Sequence, residues 1–205
     1  MTGWFGDRAV LVPLADAHDR QHIVAALAAA LPHCTVRPGL GVVLVEAPAP
    51  DPRLLDVVRA VRIDDDVAGA AARERTVVID VRYDGSDLSE CAAMLGTSPS
   101  GLAQAHAEQV WRVAMMGFAP GFAYLVPAAG QVVDWGHVQR RAAPRTQVPA
   151  GSVAVAAGMS AVYPHALPGG WQLIGTTSMV MFDVADAVEP TALHPGDQVR
   201  FRAIR

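Results

Sequence analysis

The chain has 205 residues, of which 52 % are apolar and 18 % charged, and its formal net charge is −4. That length and apolar share support a real core in one large or two small domains, and the acidic balance offers nucleic acid no electrostatic footprint. All 16 basic residues are arginine and asparagine is absent, so a Walker-type lysine, a Schiff-base lysine and an Asn oxyanion donor are excluded.

In chain order, Arg8–Leu14 is an apolar run of strand length. Asp16 is placed to cap a helix whose apolar face is Ile23, Leu27, Ala30 and Leu31, and Pro32 stops it. Thr35–Arg37 and Gly41–Glu46 predict strands around a turn at Pro38-Gly39. Asp51 followed by Pro52 predicts a helix start, with Leu54, Val58 and Val61 on one face. Arg62–Arg75 mixes charges with small residues and is the expected linker. Residues 1–75 are therefore expected to form a small α/β domain. Thr76–Tyr83 predicts a strand. Asp87 and Glu90 have capping-box spacing before a helix lined by Leu88, Cys91, Ala92 and Leu95, and Gly96 closes it. Ser98-Pro99 opens a second helix, with Leu102 and His106 one turn apart. Short strands are then expected at Trp111–Met115, Val153–Ala157, Trp171–Thr176, Met179–Phe182 and Gln198–Ala203. Strands at this density predict a closed or nearly closed β-barrel over residues 76–205, behind two leading helices.

Several function classes fall away. No apolar run approaches the ~20 residues of a membrane span, and the first residues lack the basic and apolar regions of a signal peptide. Cys34 and Cys91 make no disulfide framework, so a reducing cytoplasm is the expected location. His18 and His22 have the i, i+4 spacing of zinc ligands, but residue 19 is Asp rather than Glu and no third ligand is near. Asp64, Asp65 and Asp66 lack the alternating spacing of a cation loop, so no metal site is expected. Leu88–His106 has the outline of a helix-turn-helix. Its second helix would present Ser100, Gln104 and Glu108 rather than arginine, so phosphate anchoring fails. Neither a nucleophile elbow nor a dinucleotide-binding glycine loop occurs.

Chemistry concentrates in residues 117–171. Gly117-Phe-Ala-Pro-Gly-Phe-Ala-Tyr-Leu125, Pro144-Arg-Thr-Gln-Val-Pro-Ala-Gly-Ser-Val153, Tyr163-Pro164 and Pro168-Gly-Gly-Trp171 are turn-forming clusters, each carrying an aromatic, an Arg or a Ser. Fixed turns leave presented side chains little entropy to lose on binding. Ala119-Pro120-Gly121-Phe122 has the residues of a type II turn. It would hold Phe118 and Phe122 at set angles beside Tyr124, as a pocket wall or as a packed core hairpin. Arg145 suits a bidentate grip on a carboxylate, or a wet rim. Gly151-Ser152 aims N–H groups at an anion, or simply turns the chain. His106 reads as a satisfied core residue or as a general acid/base.

Together with Val81–Leu88 and Leu193–Phe201, these strings resemble the KipI / 5-oxoprolinase B-subunit family over nearly the whole chain. The same family is described as allophanate hydrolase subunit 1, or carboxyltransferase domain, subdomain C and D. The resemblance implies an α+β chain: a small N-terminal α/β domain, then a C-terminal cyclophilin-like β-barrel. It implies two partner chains, one KipA-like and one LamB/YcsF-like, in a complex that opens 5-oxo-L-proline to L-glutamate with ATP. Other members inhibit a sensor histidine kinase or serve urea carboxylase-type systems. By position it places Phe118, Pro120, Gly121, Phe122, Tyr124, Tyr163, Pro164 and Trp171 around the substrate, and Arg145, Ser152 and His106 as catalytic. The family's Gln-Thr-Gly-Ile is here Met159-Ser160-Ala161-Val162, and its Ser before Pro-Gly-Gly-Trp is Leu167.

Overall fold

A computed structural model describes residues 1–14, 20–61, 75–128, 130 and 132–205. The expected Asp16 cap, His18 and residues 62–74 of the expected linker, with their Asp64–Asp66 run, lie outside the described residues. The chain divides into two compact units, Met1–Arg73 and Glu74–Arg205.

The first unit runs β1 (Gly3–Phe5), β2 (Ala9–Pro13), α1 (Arg20–Ala30), β3 (Thr35–Pro38), β4 (Val42–Glu46) and α2 (Leu54–Ala60). The strands form an antiparallel sheet in the order β1-β2-β4-β3. Alternation puts Val10, Val43 and Val45 on one face, where they meet Ile23, Leu27 and Leu31 from the first helix and its exit and Leu54 and Val58 from the second. Strand β1 was not expected, because Gly-Trp-Phe is too short to show a period and leaves Trp4 and Phe5 exposed. Helix α2 starts later than Asp51-Pro52 predicts: Asp51 Oδ1 accepts the Arg53 N–H at 2.9 Å, so Asp-Pro makes the turn before the helix.

The second unit opens with β5 (Thr76–Val81), α3 (Leu88–Met94), α4 (Pro99–Glu108), β6 (Val110–Met116) and β7 (Ala123–Pro127). It continues with β8 (Arg145–Val148), β9 (Ser152–Ala156), β10 (Met159–Val162), β11 (Leu167–Gly169), β12 (Gln172–Thr176) and β13 (Gln198–Ala203). Seven strands pair in the order β12-β9-β10-β7-β6-β13-β5. The two edges meet where Arg82, just past β5, exchanges both backbone hydrogen bonds with Thr176 of β12, at 2.9 and 2.8 Å. The sheet is thereby nearly closed, the barrel expected from strand density, and the chain is α+β. Inside it one cluster draws residues from all seven strands, among them Ile79, Trp111, Leu125, Val155, Val162, Ile174 and Phe201. Strands β8 and β11 form a separate antiparallel ribbon.

Both helix signals at 96–99 hold. Gly96 (φ +64°) ends α3 with the paired bonds Gly96 N–H to Ala93 O and Thr97 N–H to Ala92 O, at 3.1 and 3.0 Å. Ser98 caps α4 by accepting the Gly101 N–H at 3.0 Å, with Pro99 in the first turn. The capping box at Asp87 does not form: its side chain makes no cap bond because its carboxylate is used elsewhere. Met179–Phe182 is not a strand. Its in–out alternation is real, Met181 buried and Val180 exposed. With the barrel edges already joined at Thr176, it finds no ladder beyond the bridge from Phe182 to Thr191. No helix among the described residues is long and apolar enough to cross a membrane.

Candidate functional site

The loop between β6 and β7 makes the expected turn. Phe122 N–H donates to Ala119 O at 3.0 Å, and Gly121 sits at φ +78°, the left-handed value that the third position of a type II turn requires. A side chain at Gly121 would also strike the Phe182 Cβ at 2.5 Å. Just before it, Ala119 N–H donates to Gly117 O at 2.8 Å, a three-residue turn that forces Phe118 to φ +70°. A bulky residue held there is strained, and such strain gathers at binding and catalytic sites.

The aromatic residues converge. Phe122 packs edge-on against Phe118, Tyr124, Tyr163 and Trp171, with centroids 5.2, 5.1, 5.4 and 6.0 Å away. With Arg140, Pro144 and Pro168-Gly169-Gly170 they line a cavity of about 250 Å³. It lies on the outer face of the barrel, where the β8–β11 ribbon covers Ala154, Ala156 and Ala161. These alanines leave the room that the rings enclose. Gly169 is part of the design: a Cβ there would stand 2.1 Å from the Tyr163 hydroxyl. Burial pushes the Tyr163 hydroxyl above its ordinary pKa, against the pull of Arg140, the Trp171 N–H and Arg145. The guanidinium carbon of Arg140 lies 5.9 Å from the centre of the Trp171 ring, a cation–π distance.

Of the residues expected at the site, five aromatics line the cavity, Pro120 and Gly121 form its turn, and Pro164 packs behind Gly121. The three expected catalytic residues do not line it. Arg145 is drawn to Asp87, which is 4 % exposed: one Oδ1 accepts Arg145 Nη2 at 2.6 Å and Arg141 Nη1 at 3.0 Å, while Oδ2 accepts the Leu173 N–H at 2.7 Å. Burial alone would raise the Asp87 pKa, but Arg145, the Leu173 N–H and Arg141 together hold it below the usual carboxylate range. Ser152 is buried at the start of β9, and its carbonyl accepts the Tyr163 N–H at 2.9 Å.

His106 is fully buried inside the barrel. Its Nδ1 meets the Tyr83 hydroxyl at 2.8 Å and its Nε2 the Ser160 hydroxyl at 2.9 Å, with Phe201 stacked 4.4 Å away. Ser160 donates onward to Ala154 O at 3.3 Å, so Nε2 carries the proton and Nδ1 accepts from Tyr83. Burial lowers the imidazole pKa to about 3, and the ring is neutral at physiological pH. Burial, with Asp87 and Glu90 nearby, likewise pushes the Cys91 thiol up to about 12, which leaves it inert. Sequence reasoning missed Arg140, Pro144 and Gly169 as cavity residues and read Asp87 only as a cap. The strings flagged Pro168-Gly-Gly, but no local signal separates Arg140 from Arg141.

Residues 2–193 match the family described as carboxyltransferase domain, subdomain C and D. The B subunit of 5-oxoprolinase from Escherichia coli O157:H7 is 40 % identical over 168 residues, covering 80 % of this chain and 75 % of that protein. Its counterpart of the same name from Haemophilus influenzae is 44 % identical over 130 residues, covering 62 % of this chain and 59 % of that protein. The crystal structure of TTHA0988 superposes on 97 % of this chain with a TM-score of 0.75 and 32 % identity, and the chain spans 40 % of that protein. Fold, turn strings and sequence agree, and the chain belongs to the carboxyltransferase-domain, subdomain C and D, family that includes the B subunit of 5-oxoprolinase.

Proposed function

We propose that this chain is the B subunit of an ATP-dependent 5-oxoprolinase, opening 5-oxo-L-proline to L-glutamate together with a LamB/YcsF-like chain and a KipA-like chain. The observation that carries this reading is the aromatic cavity. Its volume of about 250 Å³ lies just below the roughly 300 Å³ at which sites for drug-sized ligands begin. A five-membered lactam is a ligand of that smaller class. Rings on several sides hold such a ring flat and keep bulk water from it.

A lactam amide is stabilised by resonance, so water needs an activated carbonyl. Phosphorylation of the carbonyl oxygen by ATP supplies it, with ADP leaving; water adds to the carbon, the ring nitrogen takes a proton as the C–N bond breaks to leave an acyl phosphate, and a second water releases phosphate and glutamate. The cavity does not fit the nucleotide: it offers one guanidinium and the chain has no lysine, too little for a triphosphate. ATP is therefore assigned to a partner chain. His106, neutral and sealed in the barrel, takes no proton in this scheme. Arg145 supports the cavity through Asp87 and Pro144, and Ser152 through the backbone bond that seats Tyr163.

The test is reconstitution. The full chain, the LamB/YcsF-like chain and the KipA-like chain with ATP and 5-oxo-L-proline are expected to release glutamate, and omission of this chain to abolish it. Arg145→Ala is expected to lower turnover by loosening the wall. A complete set that releases no glutamate sinks the proposal.

A further inference from the structure

Three arginines stand within six residues of one another, Arg140, Arg141 and Arg145; only Arg140 lines the cavity, and the structure gives them different partners. Arg141 and Arg145 both end on the buried carboxylate of Asp87, at 3.0 and 2.6 Å. Asp87 is itself tied to the Leu173 N–H, and Arg141 N–H donates to Gly170 O at 2.8 Å. On the other side the Gln172 side-chain amide donates to Gln139 O at 3.0 Å, so the backbone on either side of Arg140 is anchored. Arg140 has no carboxylate partner among the described residues, and it is the one charged side chain among those lining the cavity. Its guanidinium carbon lies over the Trp171 ring, 5.9 Å from the centroid, and its N–H groups have no hydrogen-bond partner among the described residues.

We propose that Arg140 binds the carboxylate of the ligand held by the aromatic rings, and so makes the site selective for anionic over neutral small lactams. This rests on the lactam reading above and adds the residue that sets its selectivity. A planar fork with free N–H groups suits a carboxylate bidentately, and the nearby arginine that could compete, Arg145, does not line the cavity: its Nη2 bonds Asp87 at 2.6 Å and the Ser86 hydroxyl at 3.1 Å, and its Nη1 is buried.

The experiment is a ligand-observed NMR titration of the full chain, alone and in the reconstituted complex. It compares 5-oxo-L-proline with 2-pyrrolidinone, the same ring without a carboxylate. The wild-type protein is expected to bind the acid roughly tenfold to a hundredfold more tightly, the range of hydrogen bonds to charged groups. Arg140→Gln is expected to erase that preference by weakening the acid alone, and Arg140→Lys to restore part of it. Unchanged affinity of Arg140→Gln for the neutral ring shows that the cavity is intact. Equal binding of both rings by the wild-type protein, or an undiminished preference in Arg140→Gln, overturns the role of Arg140 and leaves the lactam reading standing. Binding of neither ring in either preparation overturns the cavity reading itself.

Discussion

The two faces of strands β7, β9 and β10 each look onto an aromatic cluster, and the clusters differ in what closes over them. Successive residues alternate between the two: Leu125, Val153 and Val155 point into the barrel, whereas Tyr124, Ala154 and Ala156 point outward. Inside, Trp111, Trp135, Phe201 and His106 pack in contact and are all buried. Outside, Phe122, Tyr124, Tyr163 and Trp171 are spaced by alanines and a glycine. The ribbon above them leaves a cavity whose one cation has no carboxylate partner among the described residues. Clustered rings are thus not themselves a sign of function. A half-open, unfilled space, a charge without an internal counter-ion and a strained turn at the rim are.

The inner cluster should fail as a core fails. Trp111 is fully buried, and its indole N–H donates to His106 O at 3.2 Å. Trp111→Ala is expected to cost about 3–5 kcal/mol in urea unfolding, the range for large aromatic truncations. A loss under about 1 kcal/mol would show that the inner rings are as loosely held as the outer ones.

His106 sharpens the contrast through pH. Its pKa is depressed to about 3 in the folded state against about 6.5 unfolded. Below pH 6.5 the unfolded chain therefore binds a proton that the native chain refuses. The stability contributed by the neutral ring is complete above pH 6.5 and falls as pH drops toward the folded value, by roughly 1.4 kcal/mol per unit. Unfolding curves at pH 7.5 and 5 should show this loss, and His106→Gln should flatten it. An imidazole resonance of His106 titrating near pH 6.5 would mean that the ring reaches solvent and would reopen its acid/base role.

Much of the fold was legible because its signals are local. The Ser98-Pro99 cap, the Gly96 stop, the type II turn at Ala119–Phe122 and the alternation in Gln198–Ala203 each depend on residues within a few positions. Strand β10 escaped for a chemical reason. It joins β9 through a two-residue turn, Ala157-Gly158, with φ of +49° and +83°. Such turns are recognised by Asn-Gly or Asp-Gly, and this chain has no asparagine. Strand β11 escaped because Pro168 reads as a breaker, which only an edge strand tolerates, and its partner β8 because four residues between Pro144 and Pro149 are too few to show a period. At the site the rings were visible as strings, whereas the division of labour among the arginines was not. Asp87 lies more than fifty residues away in sequence, and only the folded barrel brings it to Arg141 and Arg145.

The smallest expected effect on stability is the one that separates the two faces most cleanly. Phe118 is 59 % exposed and held at φ +70°, so its side chain contributes little burial while its backbone carries strain. Phe118→Gly removes the ring and relaxes the turn at once, because glycine adopts positive φ without a Cβ clash. The two effects oppose each other, and the net change in unfolding free energy is expected within about 1 kcal/mol of zero. Ligand binding should weaken all the same, since the cavity loses one wall. A fall in stability as large as that for Trp111→Ala would place Phe118 in a core, and the strain in its backbone would then serve packing rather than recognition. Unchanged stability with weakened binding of the lactam acid would place the strain where the ligand meets the protein.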